Sequence, residues 1–426
     1  MSDGADWGLP GTRNSRRVEL YATAGRVAGR YGLARLASGR RRHHQIAAAH
    51  EAGARDLYRR AVHLRGGFLK LGQFASSRPD LLPEAYVREL SKLQDRVPPA
   101  PASVIRRIVE RDLGPLEGIF SHFDAESASA ASLAQVHRAV RGDGRAVAVK
   151  VQYPRVAEIV PEEMKDTKRI LLLVDRLLGS RVPGLPTVAT ALEESILEEI
   201  DYAAEAANIE RFRANFAGEE AVVVPSVHPD LCSARVLVMD WIQGENLARA
   251  LRRVDHDTAE EAVRILIDSY LKQLLVDGFL HADPHPGNFL LQHGDGPVRL
   301  GVVDFGACAA LTEQTRLALR KLYRSGIDGD LTASVEALDE LGFRTRSGDL
   351  ASLTAWASLF EFEGREEDRQ AAWGRLVAAA REDPVVRIPG ELVMVGRVLI
   401  VQTGLVARIK PRWSMEELVE ARLAAS

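Results

Sequence analysis

The stretch His281-Ala282-Asp283-Pro284-His285-Pro286-Gly287-Asn288 sets a carboxylate and a carboxamide five residues apart, and Asp304-Phe305-Gly306 follows sixteen residues after Asn288. Phosphoryl transfer from ATP asks little covalent chemistry of a protein. It needs a carboxylate beside the attacking hydroxyl or water, oxygen ligands for Mg²⁺, and cations on the phosphates. A catalytic-loop Asp, an Asn five residues on, and a later Asp-Phe-Gly supply that set in that order. Asp283 is then the base or water-positioning group, and Asn288 and Asp304 are the metal ligands. Their hard oxygens suit Mg²⁺ better than Zn²⁺. A second reading takes His281, Asp283 and His285 as a metal-hydrolase cluster, but no further His or acid arrangement completes it.

The phosphate-binding cation must come from elsewhere. Val147-Ala148-Val149-Lys150 ends an apolar strand on a lysine, which aims an ammonium at phosphates and normally requires a carboxylate to hold it. Glu199, Asp201 and Glu205 cluster on the helical stretch through Ile200. Asp201 and Glu205 are four apart and share a helix face. Glu205 is the expected partner of Lys150.

These residues need a frame. Gln135–Val140, the turn Gly142-Asp143-Gly144 and Ala146–Val151 read as a β-hairpin. Arg235–Trp241 reads as another strand, and Leu300, Val302 and Val303 lead into Asp304 as a strand would. Helical patterns cover Arg17 to Arg65, Glu84–Leu93, Pro101–Asp112, Glu162 to Leu178 and Thr187 to Phe216, and most of the chain beyond Asn246 outside a loop-rich block at 281–310. Val18, Tyr21, Val27, Tyr31 and Leu36 are expected to form an apolar stripe packed on a neighbouring domain or lying on a membrane surface. The implied organisation is a disordered leader at 1–16, a helical extension at 17–115, a small mixed lobe with a helical insertion at 116–245, and a helical lobe at 246–426.

Together these motifs resemble the UbiB family of atypical kinases, also called AarF-domain kinases. A K-x-G-Q motif ahead of the kinase region is matched by Lys70-Leu71-Gly72-Gln73, at the head of the stretch Lys70 to Pro83. An Ala-rich loop, where protein kinases use Gly, is matched by Ser129-Ala130-Ala131-Ser132, with Gln135-Val136-His137 following. An E-x-D motif is matched by Glu199-Ile200-Asp201. Ser129 stands where the family often has Ala. The resemblance spans about residues 60 to 410 and implies an α+β, bilobal protein-kinase-like fold with a family-specific helical extension.

The resemblance also implies roles. Ala130, Ala131 and Ser132 would line the nucleotide with less backbone freedom than Gly allows. Met239 and Trp241 would lie at the adenine-contacting hinge. Lys70 and Gln73 would belong to a cover over the site, with Lys70 meeting Glu199 and Asp201 and disfavouring a bulky protein substrate. ATP and Mg²⁺ are the implied cofactors, and ATP hydrolysis or transfer in support of isoprenoid quinone or related lipid metabolism is the implied activity. A small-molecule phosphotransferase of the aminoglycoside or choline kinase type shares the 281–288 loop pattern, and a nucleotide-sensing scaffold would keep the same residues.

The net charge of −3 gives no argument for nucleic-acid binding. Residues 1–45 nevertheless carry nine Arg against Asp3, Asp6 and Glu19, so a peripheral contact with an anionic membrane is expected there. A lipid or phenolic small molecule is the implied further partner. Cys232 and Cys308 show no disulfide or metal spacing, and no apolar leader is evident, so a cytoplasmic chain, peripheral at the inner face of the membrane, is expected. Leu392 to Ala407 is interrupted by Arg397 and Gln402. It reads as a buried helix shorter than the roughly 20 residues of a membrane span, and the C-terminal anchor of some family members is not expected.

Overall fold

The computed structural model describes residues 9–36, 38–76, 82–93, 99–177, 190, 193–194, 196–294, 296–360, 378–379, 382–387 and 389–425. The main helices are α1 (Arg13–Leu36), α2 (Gly39–Leu64), α3 (Gly66–Ser76), α4 (Glu84–Leu90), α5 (Ala102–Leu113), α6 (Val156–Leu177), α7 (Tyr202–Asn215), α8 (His256–Lys272), α9 (Glu313–Ile327), α10 (Leu331–Glu340), α11 (Gly390–Ile409) and α12 (Met415–Ala424). The main strands are β1 (Phe120–Phe123), β2 (Ser129–Ala130), β3 (Ala134–Arg141), β4 (Ala146–Gln152), β5 (Val222–Val223), β6 (Val236–Asp240), β7 (Glu245–Asn246), β8 (Phe279–His281), β9 (Phe289–Gln292), β10 (Arg299–Val302) and β11 (Cys308–Ala310). The chain divides into two compact units, Met1–Ala207 with Ser226–Trp241, and Asn208–Pro225 with Ile242–Ser426.

In the first unit β1, β3, β4 and β6 form an antiparallel sheet in that order, with β2 added on β3. The β3–β4 turn works because Gly144 takes φ 86°, a left-handed conformation that costs glycine little. Val147, Val149 and Val151 point to one face of β4. They are fully buried with Ile105 and Val109 of α5, Phe120 and Phe123 of β1, Ile159 and Met164 of α6, and Val236 and Val238 of β6. Strands are therefore buried because period-two alternation gives the sheet an apolar face for α5 and α6 to cover.

The leader folds from residue 9 onward, which corrects the expected disordered segment through residue 16; residues 1–8 lie outside the described residues. Leu9 is buried, and α1 begins at Arg13. Arg16 is 1% exposed and forms an ion pair with Glu163 of α6, while its guanidinium also donates to the Leu64 carbonyl at 2.7 Å. A charge withdrawn from water must find such partners, and here they tie α1 to α2 and α6. Arg65 and Gly66 both have positive φ at the α2–α3 corner, and a Cβ on Gly66 would meet Leu9 Cδ2 at 2.5 Å. The expected apolar stripe on α1 is corrected in part. Val18 is 67% exposed and Leu36 83%, whereas Val27 and Tyr31 are half-buried, Tyr31 sets its ring against His50, and Leu20 packs against Leu64 and Phe68. The face of α1 that packs inward is the one bearing Arg16, Leu20 and Thr23, because the buried guanidinium sets the rotation.

The ends of two expected helices, at Leu178 and at Thr187, lie outside the described residues, as do positions 77–81 of the stretch that opens with K-x-G-Q. Helix α7 starts at Tyr202.

The second unit is largely helical, but the block expected to be loop-rich contributes β9, β10 and β11 to two small sheets. One has the order β5-β10-β9-β7, with β5 parallel to β10, and the other pairs β8 with β11. Helix α8 is capped by Asp255, whose carboxylate accepts the Thr258 N–H at 2.9 Å. It runs on into a wider π turn at Gln273–Asp277 that ends on Gly278 with φ 58°. Helix α11 is 20 residues long and, by length and composition, is one that can cross a membrane. It is also less buried than expected, since Val393 is 54% exposed and Ile400 75%.

Arg16→Met strips the buried Glu163 carboxylate of its cation. The expected loss is about 3–5 kcal/mol of unfolding free energy, measured by denaturant titration against wild type.

Candidate functional site

In the first unit Lys150 lies near the end of β4, where the strand's alternation turns it to the face opposite Val149 and Val151. Its Nζ donates to both oxygens of Glu205 on α7, at 2.6 and 2.8 Å. Glu205 is 1% exposed and Lys150 9%. Tyr202, one helical turn before Glu205, sets its ring 5.5 Å from the ammonium. Such a pair persists because each charge would be costly alone in that environment. Two residues beyond Lys150, and on the same face of β4, Gln152 donates to the Ile200 carbonyl at 2.6 Å. The strand thereby holds the entry to α7 as well as its first acid.

The E-x-D residues divide their work. Glu199 forms an ion pair with Lys70 of α3 and accepts a hydrogen bond from the Ser132 hydroxyl at 3.3 Å. Asp201 accepts the Ala204 N–H at 3.0 Å and so caps α7. In the Ala-rich loop, Ser129 and Ala130 form β2, and the Ala131 N–H closes a tight turn onto the Ala134 carbonyl at 2.8 Å. Ser132 is buried. Gln135 binds the backbone of Ala100 through both ends of its amide, at 2.7 and 3.3 Å. Gln73 donates to the Leu93 carbonyl at 3.1 Å. Between Lys70 and Gln73, a Cβ on Gly72 would stand 2.4 Å from Leu93 Cδ1, so glycine is what lets α3 approach. At the expected hinge, Met239 is buried and paired with Ala148. The Trp241 N–H is donated to the Ala146 carbonyl at 3.0 Å.

In the second unit the loop at 282–288 and the Asp304-Phe305-Gly306 segment are stitched to each other. β8 pairs with β11, Ala282 N–H donates to Ala307 O at 2.9 Å, and Val303 N–H donates to Asn288 O at 3.1 Å. Buried His281 turns its Nε2 to the Asp304 carbonyl. The π turn of α8 presents Gln273 Oε1 to the His281 N–H at 2.8 Å. Phe305 is fully buried against Phe212 of α7, with ring centres 5.2 Å apart, and Asn208 donates to the Phe305 carbonyl at 3.0 Å.

These contacts fix the three acid and amide groups. Asn288 Nδ2 donates to Asp283 Oδ2 at 2.9 Å. Its carboxamide oxygen is the end left to accept a cation. Asp304 Oδ1 accepts the Gly306 N–H at 3.2 Å. A carboxamide oxygen and a carboxylate held in this way are a hard donor set that fits Mg²⁺. The alternative set of His281, Asp283 and His285 is not brought together as metal ligands. His281 is bound to the Asp304 carbonyl, and His285 Nδ1 accepts the Gly287 N–H at 3.0 Å. Among the described residues, the close His and carboxylate group is His256, Asp257 and Glu260. There the guanidinium of Arg412 already binds both carboxylates.

Gln273, Asn208 and Tyr270 at this site were not assigned roles from sequence, and neither was the residue that meets Asp283 directly from a distant helix. Arg397, on α11, donates to Asp283 Oδ1 at 2.6 Å. Its only sequence signal is a charge interrupting an apolar helix. Tyr270 of α8 lies beneath, fully buried, and its hydroxyl has no hydrogen-bond partner among the described residues. Burial pushes the phenol's pKa well above its ordinary value, with Asp283 and Cys308 adding to the rise and Arg397 opposing it.

The sheet with its Lys–Glu pair and the loop with its Asp, Asn and Asp-Phe-Gly segment define a kinase-like protein. A family model described as an ABC1 atypical kinase-like domain matches residues 92–338, and the chain belongs to that family, whose members also carry the AarF name. The chain is 34% identical over 394 residues to "Protein ACTIVITY OF BC1 COMPLEX KINASE 1, chloroplastic" of Arabidopsis thaliana, covering 86% of this chain and 54% of the relative. It is 31% identical over 370 residues to an uncharacterized aarF domain-containing protein kinase, At1g71810, chloroplastic, of the same plant, covering 85% and 52%. The chain thus spans about half the length of the curated relatives it matches. Among solved structures, Rv3197 of Mycobacterium tuberculosis in complex with erythromycin is similar, with 27% identity, a TM-score of 0.59, and 88% of this chain and 96% of that chain covered.

Asp201→Ala removes the cap from the helix that carries Glu205. It is expected to lower stability by about 1 kcal/mol, seen as a lower denaturant midpoint with an unchanged slope.

Proposed function

We propose that this protein is an ATP-dependent, Mg²⁺-requiring kinase or ATPase whose acceptor is water or a small molecule. The observation that carries the proposal is the buried two-oxygen pairing of Lys150 with Glu205, since a lysine so held is an oriented cation suited to phosphate oxygens. Lys150 would hold the α- and β-phosphates, and Glu205 would keep it aimed. Asn288 and Asp304 would hold the metal. When bound, Mg²⁺ neutralises charge that develops on the phosphoryl oxygens. Asp283 would receive the acceptor's proton or orient a water. Ala130, Ala131 and Ser132 would line the phosphates, and Met239 and Trp241 would flank the adenine. The strand pairing of Met239 and the donated N–H of Trp241 leave recognition of the base edge to other atoms of that segment.

Lys70 and Gln73 would form a cover. The ion pair of Lys70 with Glu199, joined by Ser132, supports an acceptor smaller than a folded protein. Lipid chemistry, with isoprenoid quinone metabolism as the specific case, is supported by the family and by exposed apolar residues beside arginines on α1, including Val18, Leu33 and Leu36. Those side chains and the Arg-rich first helices suit a peripheral contact with an anionic membrane.

The test measures ADP release by wild type and Asp304→Ala, with and without anionic liposomes and phenolic lipids. Asp304→Ala is expected to lower turnover about a hundredfold or more, and liposomes to raise the wild-type rate. Unchanged ATP binding and unchanged ADP release in Asp304→Ala would defeat the proposal. Phosphate appearing on a hydroxylated small molecule would move it to the phosphotransferase class.

A further inference from the structure

Asp283 is held from both sides. Its Oδ2 accepts the Asn288 amide at 2.9 Å, and its Oδ1 accepts the Arg397 guanidinium at 2.6 Å. The two donors differ in kind. Asn288 is five residues away on the same loop, so its grip is part of the loop's own fold. Arg397 arrives from a helix 114 residues further along the chain. Its side chain is 54% exposed, and that of Asp283 is 32% exposed. An ion pair so open to solvent contributes about 0.2–1 kcal/mol. That is too little to hold the fold together, yet enough to bias which of two orientations a carboxylate adopts.

The position of Arg397 also differs from that of a packing residue. Val393, Arg397 and Ile400 follow one another at helical spacing on the solvent-facing side of α11. The inward face carries Leu392, Val395, Val398, Gln402 and Leu405. The guanidinium therefore swings from the open side of the helix, where nothing in the core fixes it.

We infer that Arg397 is a positioning residue that restrains Asp283 until an acceptor arrives, limiting wasteful hydrolysis of ATP. The inference rests on the kinase reading of the site. In hydrolysis a water oxygen bonds to the γ-phosphorus, and the bond from that phosphorus to the bridging oxygen of the β-phosphate breaks. The water's proton passes to the Asp283 carboxylate, and ADP leaves. With Oδ1 turned to Arg397 and Oδ2 to Asn288, the carboxylate is oriented toward protein donors instead of an incoming water. An acceptor hydroxyl would compete for Oδ1 and displace the guanidinium to solvent, which its exposure permits at little cost.

ADP release without added acceptor is the readout, for wild type, Arg397→Gln, Arg397→Lys, Asp304→Ala, and Arg397→Gln in an Asp283→Asn background. Arg397→Gln is expected to raise the rate about two- to fivefold with the KM for ATP unchanged. Arg397→Lys, which keeps the charge for a single contact, should stay within about twofold of wild type. In the Asp283→Asn background the Gln substitution should change the rate by less than about twofold, because its effect acts through Asp283. A rate for Arg397→Gln that is unchanged or lower, no detectable turnover in either it or wild type, or a gain that persists without the Asp283 carboxylate would each overturn the restraint. Thermal unfolding of Arg397→Gln at the wild-type temperature separates a true loss of restraint from a folding defect, and a melting point well below it assigns Arg397 a structural role and also overturns the inference. Asp304→Ala that turns over like wild type would instead defeat the kinase reading, whatever Arg397 does.

Discussion

The pairing of Lys150 with Glu205 is the constraint on which the first unit depends. Both groups are almost wholly removed from water, where an isolated charge costs several kcal/mol. Neither can be buried unless β4 and α7 are each placed to within hydrogen-bonding tolerance. The sheet achieves this for the lysine, with Val147, Val149 and Val151 anchoring the opposite face of β4 in the core. The helix is placed by its beginning. Asp201 caps it, Gln152 grips the Ile200 carbonyl just ahead of it, and Glu199 at the preceding turn is held by Lys70 and Ser132. The K-x-G-Q helix thus acts on the segment that leads into α7, six residues ahead of the acid that meets Lys150.

In the second unit polar contacts to backbone atoms do the corresponding work. His281 and Asn208 bind the carbonyls of Asp304 and Phe305, and Gln273 holds the N–H of His281. Buried aromatic rings of Phe212, Phe279 and Phe305 surround these bonds, and in such surroundings an unmade hydrogen bond is costly. The carboxylates of Asp283 and Asp304 take their own donors, Asn288 and Arg397 for the first and the Gly306 N–H for the second.

Much of this was legible in the sequence because it is local. Alternation in Ala146–Val151 marks β4, the Gly142–Gly144 turn fixes its partner, and Asp-to-Asn spacing of five marks the loop. Glu205 could be chosen because Lys150 needs a carboxylate and few helices offer one at the right place. The features that escaped were set by contacts far apart in sequence. Arg16 and Glu163 are 147 residues apart, and Arg397 and Asp283 are 114 apart. Arg16 does not differ locally from a solvated arginine, and Arg397 shows only as a charge interrupting an apolar helix. The apolar stripe on α1 is split for the same reason: Val27 and Tyr31 share the inward face with Arg16, whereas Val18, Tyr21 and Leu36 face outward, and periodicity alone cannot foresee a buried guanidinium. The E-x-D pattern was visible, but the division of labour inside it depends on where α7 begins, and helix boundaries are poorly marked in sequence.

The π turn at Gln273–Asp277 bears on how this chain tolerates change in length. Such a turn holds one residue more than an α-helical turn. Deleting a single residue there lets the wide turn close to an ordinary helical turn, so that α8 stays in phase with β8 and the loop beyond it. A deletion one turn earlier, within the regular part of α8, has no spare residue to take it up and would turn the helix by about 100°. What the relaxed turn loses is local, the presentation of Gln273 to the His281 N–H. Among homologous chains, differences of one residue in length should therefore collect at Gln273–Asp277 and not within α8.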